Sequence, residues 1–299
     1  MLDHKFKVFY HLAKNPNTTQ VAQELYLSQP AISKNIRELE KELGITLFHR
    51  DKGRMSLTTA GHYLLAETEL LLQKEREISF ELDKMRNTFN GTLYLGASTT
   101  LSQYVLPGIL AGFTTQNPEI KINLASGNTD QIEKEILANN IHLAFIEGTP
   151  TQPDIHYIPY LRDEIVLVCA ANNPTPESIS REELLNLRFV QREKGSGTYH
   201  VIKKYLAAIG IPIHSLQDQL VLGSTEGIKQ YLQYSDCFAL LSIFSIREEL
   251  RSNKLKIIET EGLTIERKFY AIHRQGEIDP YAQKFLDYTL KNSKHPISL

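Results

Sequence analysis

The chain has 299 residues, of which 41% are hydrophobic and 23% are charged. This length allows two or three domains with a sizeable core, and the composition excludes a disordered or collagen-like chain. The net charge of −2 excludes a chain that is basic throughout, but residues 1–58 carry nine Lys and Arg against six Asp and Glu, an excess of three. This asymmetry predicts a basic N-terminal module on an acidic body.

The two cysteines and the length of the apolar segments bear on where in the cell the protein is expected. Cys169 and Cys237 each lie in an apolar run, which favours buried free thiols over a disulfide or a redox pair. The start MLDHKFKVFY has no apolar stretch of signal-peptide length, and no segment approaches the ~18 apolar residues of a membrane span. A cytoplasmic location, with no membrane partner, is expected.

Three short helices are predicted within the first 44 residues. The first ends at Asn15-Pro16, the second begins with Thr18 or Thr19 as its N-cap, and the third runs from a Ser28 cap to Gly44. Two short helices joined by a tight turn and packed on a preceding helix form a helix-turn-helix.

A hairpin and a long helix follow. The basic segment 50–56, with Gly53 at its turn, predicts a wing, and residues 59–87 lack Pro and predict one helix. An apolar stripe repeats every seven residues at Leu57, Leu64, Leu71, Ile78 and Met85. The stripe favours a short or antiparallel coiled coil with a second chain; the alternative is a core helix packed on the domain that follows.

Beyond Gly91, predicted strands and helices alternate. The strands are predicted at 92–97, 121–125, 143–146, 165–170, 189–190, 220–222, 238–243, 255–258 and 265–272. The helices are predicted at 100–115, 130–137, 181–185, 197–208, 225–234, 246–250 and 281–290. This alternation predicts an α/β domain with mostly parallel sheets, large enough for two lobes.

The third N-terminal helix has an outward polar face suited to DNA. Gln can bond adenine, Lys and Arg can reach guanine, and hydroxyls at helix N-termini contact phosphate. Arginines beside the wing turn can grip phosphate or enter the minor groove. The predicted DNA-binding residues are Thr18, Thr19, Gln29, Pro30, Ser33, Lys34, Arg37, Arg50 and Arg54. The alternative is a merely solvated amphipathic helix.

Four strand-to-helix junctions of the α/β domain are rich in small polar residues. Helix N-termini with hydroxyls and nearby Gly favour an anion, although each junction alone can be an ordinary cap. Thr100 and Gln103 have the spacing of a capping box. The predicted effector-binding residues are Ser98, Thr99, Thr100, Gly127, Asn128, Arg192, Gly195, Ser196, Gly197, Thr198, Ser224 and Thr225.

Signatures of catalysis are missing from the sequence. It contains neither a Gly-x-Ser-x-Gly elbow nor a Gly-x-x-x-x-Gly-Lys loop, and the ten His show no metal-ligand spacing. Glu147 and Asp163 lie near predicted strand ends, but the sequence alone does not bring them together. We expect no enzyme, no metal and no cofactor apart from a small-molecule effector.

Residues 25–61 resemble the LysR-type regulator family. The matching positions are Ser28-Gln29-Pro30-Ala31-Ile32-Ser33, Ile36, Leu39-Glu40, Leu43-Gly44, Leu47-Phe48, Arg50, Arg54 and Leu57-Thr58-Thr59-Ala60-Gly61. The α/β pattern is similar to the family's effector domain. The resemblance implies a winged helix-turn-helix at 1–58, a dimerisation helix at 59–90 and a type 2 periplasmic-binding-like domain at 91–299. The lobes of that domain are expected at about 91–163 plus 266–299 and at 164–265, with the effector in the cleft between them.

The resemblance also implies partners: promoter DNA, a second copy in dimers or tetramers, and RNA polymerase. The runs from Arg192 to Thr198 and from Gly223 to Glu226 are similar to the branch that regulates carbon-fixation and sulfur-assimilation operons. This similarity implies a small anion such as sulfite, phosphoenolpyruvate or a sugar phosphate. Tyr199 stands where that branch often has Arg, which leaves one cationic ligand contact in doubt.

Two rival functions remain at the level of sequence. The chain could be a cytoplasmic small-molecule binding protein without a DNA role, but the intact helix-turn-helix argues against this. It could also be a cytoplasmic enzyme that uses the Gly-Ser-Gly loop, which turnover of a phosphorylated substrate would reveal.

Overall fold

A computed structural model describes residues 2–51, 54–86 and 91–292, without the side chains of residues 50, 51 and 54. The chain divides into two compact units, Met1–Thr88 and Phe89–Leu299. The predicted end of the long helix at residue 90 lies outside the described residues, as does the predicted wing turn at Gly53.

The N-terminal unit is a helical domain with a two-stranded hairpin. Its elements are α1 (His4–Lys14), α2 (Thr18–Glu24), α3 (Gln29–Leu43), β1 (Phe48–Asp51), β2 (Arg54–Leu57) and α4 (Thr59–Arg86). Phe9, Ile32 and Ile36 are fully buried in its core, because they repeat at helical spacing on the inner faces of α1 and α3.

Helix caps in this unit agree only in part with the sequence prediction. The side chain of Ser28 accepts the backbone N–H of Ala31 at 3.3 Å and caps α3, as predicted. Gly44 ends α3 with a left-handed φ of +66°, also as predicted. The prediction of a threonine cap for α2 is wrong, because Asn17 precedes the helix and accepts the N–H of Thr19 at 3.1 Å.

Helix α4 is packed at its start and exposed further along. Gly61 lies so close to the preceding loop that a Cβ there would meet the carbonyl oxygen of Leu47 at 2.3 Å. Leu71, Ile78 and Met85 are 47%, 54% and 78% exposed. The second half of the predicted stripe therefore has no cover within the described residues.

The second unit is built on an eight-stranded sheet in the order β4-β3-β5-β12-β6-β11-β7, with β10 also paired to β6. The strands are β3 (Thr92–Ser98), β4 (Lys121–Gly127), β5 (Leu143–Glu147), β6 (Ile155–Ala170), β7 (Ser178–Ile179), β8 (Arg188–Gln191), β9 (Gln217–Val221), β10 (Ala239–Ser242), β11 (Leu255–Thr260) and β12 (Ile265–Arg274). Strands β8 and β9 form a separate parallel pair. Pairings of β6 with β10, β11 and β12 are antiparallel, so the expectation of mostly parallel sheets is wrong.

The helices of this unit pack on two groups of strands. They are α5 (Thr99–Tyr104), α6 (Leu106–Gln116), α7 (Thr129–Leu137), α8 (Arg181–Leu184), α9 (Gly197–Ala208), α10 (Thr225–Leu232), α11 (Ile243–Arg251) and α12 (Pro280–Asn292), with a 3-10 turn at Ile213–Ser215. We call β3–β5 with α5–α7 and α12 lobe 1, and β7–β11 with α8–α11 lobe 2. Strands β6 and β12 run through both lobes, with a bulge between Lys268 and Tyr270.

Two predicted elements of this unit have different bounds. The helix predicted at 100–115 is two helices, because the chain turns at Val105 and Pro107 lies in the first turn of α6. The strand predicted at 165–170 begins ten residues earlier, at Ile155. Pro159 lies in this additional part of the strand and pairs with Tyr270 at the bulge, where a missing N–H is tolerated.

Cys169 and Cys237 are free and buried, as predicted. Burial raises the pKa of the Cys169 thiol to about 11, against a smaller opposite effect of Lys256. Within the described part of the chain, every helix is too short or too polar to cross a lipid bilayer.

Candidate functional site

A groove on the N-terminal unit brings together most of the predicted DNA-binding residues. It is lined by Thr18, Gln29, Pro30, Ser33, Lys34, Arg37 and Glu38. Thr19 is exposed beside it and accepts a hydrogen bond from Nε2 of Gln29. Arg50 and Arg54 belong to the hairpin strands β1 and β2, but their side chains lie outside the described residues.

The groove presents charges with few internal partners. Lys34 lies 3.8 Å from Glu38 one turn further along α3, at an exposed position where such a pair contributes little. Arg37 is exposed and forms no ion pair with any described residue. Gln29, Lys34 and Arg37 can therefore be directed outward without breaking a strong internal bond.

In the second unit, the carboxylate of Glu147 accepts hydrogen bonds from three hydroxyls of the predicted effector site. Glu147 ends β5 and is 1% exposed. Ser98 donates to its Oε2, while Thr100 and Thr198 donate to its Oε1 at 3.4 and 3.2 Å. Thr198 lies in lobe 2 and the other three residues lie in lobe 1, so this cluster joins the lobes.

Arg267 of β12 extends the cluster to Asp163. Its Nη1 donates to Thr198 at 2.8 Å and lies 3.6 Å from Glu147, and its Nε donates to Asp163 at 2.6 Å. Asp163 also accepts the hydroxyl of Ser242 at 2.9 Å. Arg267 was not predicted from the sequence. The signal for it was a cation at an inward position of an alternating strand, between Ile265 and Phe269.

Arg192 is buried, and each of its three guanidinium nitrogens donates a hydrogen bond. Its guanidinium forms two hydrogen bonds with the carboxylate of Glu193, at 2.9 and 3.1 Å, and one with the hydroxyl of Thr225 at 3.0 Å. Burial by itself would raise the pKa of Glu193, but the bonds and charge of Arg192, with a bond from Asn128, lower it below its usual value. The bond from Asn128 also links α7 of lobe 1 to lobe 2.

A second contact between the lobes lies beside α5 and α10. Tyr104 donates its hydroxyl to Glu226, which pairs with Lys229 at 2.7 Å. Lys229 is buried, pairs with Glu249 at 2.9 Å and lies over the ring of Tyr104. Burial raises the pKa of the Tyr104 phenol, and the bond to Glu226 adds to the increase.

Three of the four predicted junctions are ordinary caps. Ser98 caps α5, Asn128 forms a capping box with Gln131 on α7, and Ser224 caps α10. The predicted capping box of Thr100 with Gln103 is therefore wrong, because the helix starts one residue earlier and Ser98 takes the cap position.

The N-terminus of α9 differs from the other three. Ser196 occupies its cap position but makes no capping hydrogen bond. The side chain is 1% exposed, and its Oγ has no hydrogen-bond partner among the described residues. Oγ1 of Thr99 on the facing lobe is likewise buried without a partner. Buried hydroxyls are normally bonded, so Ser196 and Thr99 are candidate contacts for a ligand.

Gly197 allows α9 to approach lobe 1. A Cβ at this position would meet the carbonyl oxygen of Glu147 at 2.3 Å and Oγ1 of Thr129 at 2.4 Å. Close packing at this point brings the α9 N-terminus beside the Glu147 cluster. Within the described residues, no group of three or more His, Cys, Asp or Glu could hold a metal ion.

Family models match both units. The model of the bacterial regulatory helix-turn-helix protein, lysR family, matches residues 4–62, and the LysR substrate binding domain matches residues 86–294.

Individual relatives agree with these models. A "Probable RuBisCO transcriptional regulator" of Cyanophora paradoxa is 33% identical over 88% of this chain and 83% of its own. The regulatory domain of Synechocystis PCC6803 CcmR, solved in complex with 2-PG, covers 69% of this chain and 99% of its own with a TM-score of 0.63 at 27% identity. Full-length CbnR complexed with its target DNA covers 98% of this chain and 100% of its own, with a TM-score of 0.62 at 20% identity, which shows the shared fold.

Proposed function

Because the chain belongs to the LysR family of DNA-binding transcriptional regulators, we propose that it binds promoter DNA through the groove on α2 and α3 and responds to a small anion at the start of α9. The groove is the observation that supports DNA binding. Residues that can contact bases and residues that can contact phosphate lie together on this one exposed surface. Arg50 and Arg54 on the hairpin would add backbone or minor-groove contacts.

The protein acts as a dimer or tetramer. One helix-turn-helix covers half of a two-fold site, so two copies are needed. The exposed apolar side chains of α4 supply a surface for the second copy: Leu70, Leu71, Ile78, Leu82 and Met85. A location in the cytoplasm, contact with RNA polymerase, and regulation without catalysis complete the proposal.

The effector is a small anion held by N–H groups and hydroxyls. Arg192 already faces Glu193, and Arg267 faces Asp163 and Glu147, although Nη2 of Arg267 is buried without a hydrogen-bond partner among the described residues. The anion is placed at the uncapped α9 N-terminus with Ser196, together with Thr99. The 2-PG named in the CcmR complex is the first probe to use.

The effector site is tested by thermal unfolding of the full-length protein with 2-PG and other small metabolite anions. A ligand of the folded state should stabilise it by about 2.7 kcal/mol at a hundredfold excess over Kd. Ser196→Ala and Thr99→Ala should each remove this stabilisation, while Ser252→Ala, at an exposed position, should retain it. Stabilisation that survives Ser196→Ala would reject the α9 site.

The DNA role is tested separately, by fluorescence anisotropy of the full-length protein with promoter fragments at ~0.1 M salt. Tight, sequence-dependent binding is expected. Ligand binding without any DNA binding would instead make the chain a small-molecule binding protein.

A further inference from the structure

A cavity outside the cleft has a charge pattern that neither lobe neutralises. It measures about 500 Å³, within the size range of small-molecule sites, and lies against the stretch where β6 and β12 cross between the lobes. Residues 148–150, Tyr270 and the α9 residues Val201, Lys204 and Tyr205 add to its walls. Asp163 and Arg267 of the Glu147 cluster also contribute to the lining, but none of the predicted effector-binding residues does, so the cavity differs from the site proposed above.

Like charges face each other across this ladder. Arg162 pairs in register with Lys268, and two residues along, Glu164 pairs with Glu266. All four residues are exposed, and none forms an ion pair within the described part of the chain. Like charges directly opposite on a sheet are unfavourable. A ligand group of the opposite charge would therefore stabilise each of these cross-strand pairs, which we call the cationic rung (Arg162 and Lys268) and the acidic rung (Glu164 and Glu266).

The two rungs are adjacent on one face of the ladder. Residues two apart on a strand are separated by about 6.8 Å, so a cationic rung and an acidic rung lie side by side. Asp163 and Arg267 lie between them in sequence but are directed to the buried face, where they pair with each other. Lys204 adds a third exposed cation, so the lining holds four cations against three carboxylates, of which Arg267 and Asp163 pair with each other.

We propose that this cavity is a second small-molecule site for an acidic amino acid. The two carboxylates of the ligand would meet Arg162, Lys268 and Lys204, and its ammonium group would meet Glu164 and Glu266. At neutral pH such a ligand carries one net negative charge, which complements the single excess positive charge of the walls. Because Arg267 lies between Glu266 and Lys268, a ligand here would act on the strand that holds the Glu147 cluster.

The experiment is isothermal titration of the full-length protein with L-glutamate and L-aspartate, each compared with its analogue without the amino group, glutarate or succinate. At least one amino acid should bind, and its analogue should bind about tenfold more weakly, because the acidic rung then lacks a partner. Failure of both amino acids to bind at millimolar concentration, or equal binding of the analogue, overturns the proposal.

Variants locate the site. Arg162→Gln and Lys204→Gln should each weaken binding of the amino acid about tenfold. Lys203→Gln is the matched control, because Lys203 is exposed on the same helix and does not line the cavity. Glu164→Gln should reduce the preference for the amino acid over its analogue. Ser196→Ala should leave binding intact; loss of binding in that variant would place the ligand in the cleft and overturn the second site.

Discussion

The groove on α3 and the Glu147 cluster between the lobes use similar side chains in opposite ways. Gln29, Lys34 and Arg37 are exposed and form few internal bonds. Glu147 and Arg267 are buried and bonded to several neighbours. Polar groups in the groove can bond to a binding partner, whereas those in the cluster are already hydrogen-bonded or ion-paired with each other. Loss of a groove residue should therefore change binding alone, and loss of a cluster residue should change stability as well.

The largest effect is expected at the cluster. Arg267→Met leaves the carboxylates of Asp163 and Glu147 buried without their cation, which should lower the free energy of unfolding by about 3–5 kcal/mol. Urea unfolding followed by circular dichroism measures this change, since the chain contains no Trp for fluorescence. Lys268→Met, at the exposed neighbouring position, should stay within about 0.5 kcal/mol of the parent. If Arg267→Met lowered the free energy of unfolding as little as Lys268→Met does, the cluster would not differ from the groove in its contribution to stability.

The next effect is expected at the groove and in binding only. Arg37→Ala should weaken specific DNA binding by about 1–3 kcal/mol and relax base preference at one step of the site. Its free energy of unfolding should stay within about 0.5 kcal/mol of the parent, because Arg37 is exposed. Lys41→Ala, one turn further along α3 and outside the groove, is the control. Equal losses on specific and random DNA would reduce Arg37 to a phosphate contact.

A gain in stability is expected in the turn between α2 and α3. Tyr26 has a left-handed φ of +55° and is 95% exposed, so its side chain gains little from burial. Tyr26→Asn should stabilise the N-terminal unit by about 1 kcal/mol, since Asn tolerates this conformation better. Hydrogen exchange of α1–α3 reports on this unit alone. Asn253, at φ +53°, is the converse case, and Asn253→Ala should destabilise the second unit.

The smallest effect concerns pH. Burial, with the charge of His156 adding to it, lowers the pKa of His273 below its usual 6.5. As pH falls below 6.5, the unfolded chain binds a proton that the folded chain resists, so the free energy of unfolding should decrease. Above 6.5 this loss is absent. Unfolding of His273→Gln should show a shallower decline over the same acidic range, and an unchanged slope would show that another group is responsible.

The two regions also differ in what the sequence could reveal. The groove comes from one helix and its neighbour, so a spacing of 3.6 residues was enough to place Gln29, Ser33 and Arg37 together. The cluster joins Glu147 to Arg267 across 120 positions, and only the crossing of β5, β6 and β12 makes them neighbours. Local patterns also failed at Asn17, where the cap is one residue earlier than predicted, and at residues 155–164, where the first part of β6 was not predicted.

Strands β6 and β12 have a consequence for synthesis of the protein. Lobe 1 consists of β3–β5, α5–α7 and α12, the last helix of the described residues, so lobe 2 is inserted within it along the chain. During translation the DNA-binding unit emerges first, and lobe 1 cannot close until α12 has been made. At about 5–20 residues per second, roughly 10–40 s separate these two events. The helix-turn-helix of a nascent chain is thus complete before the two lobes can form the effector site.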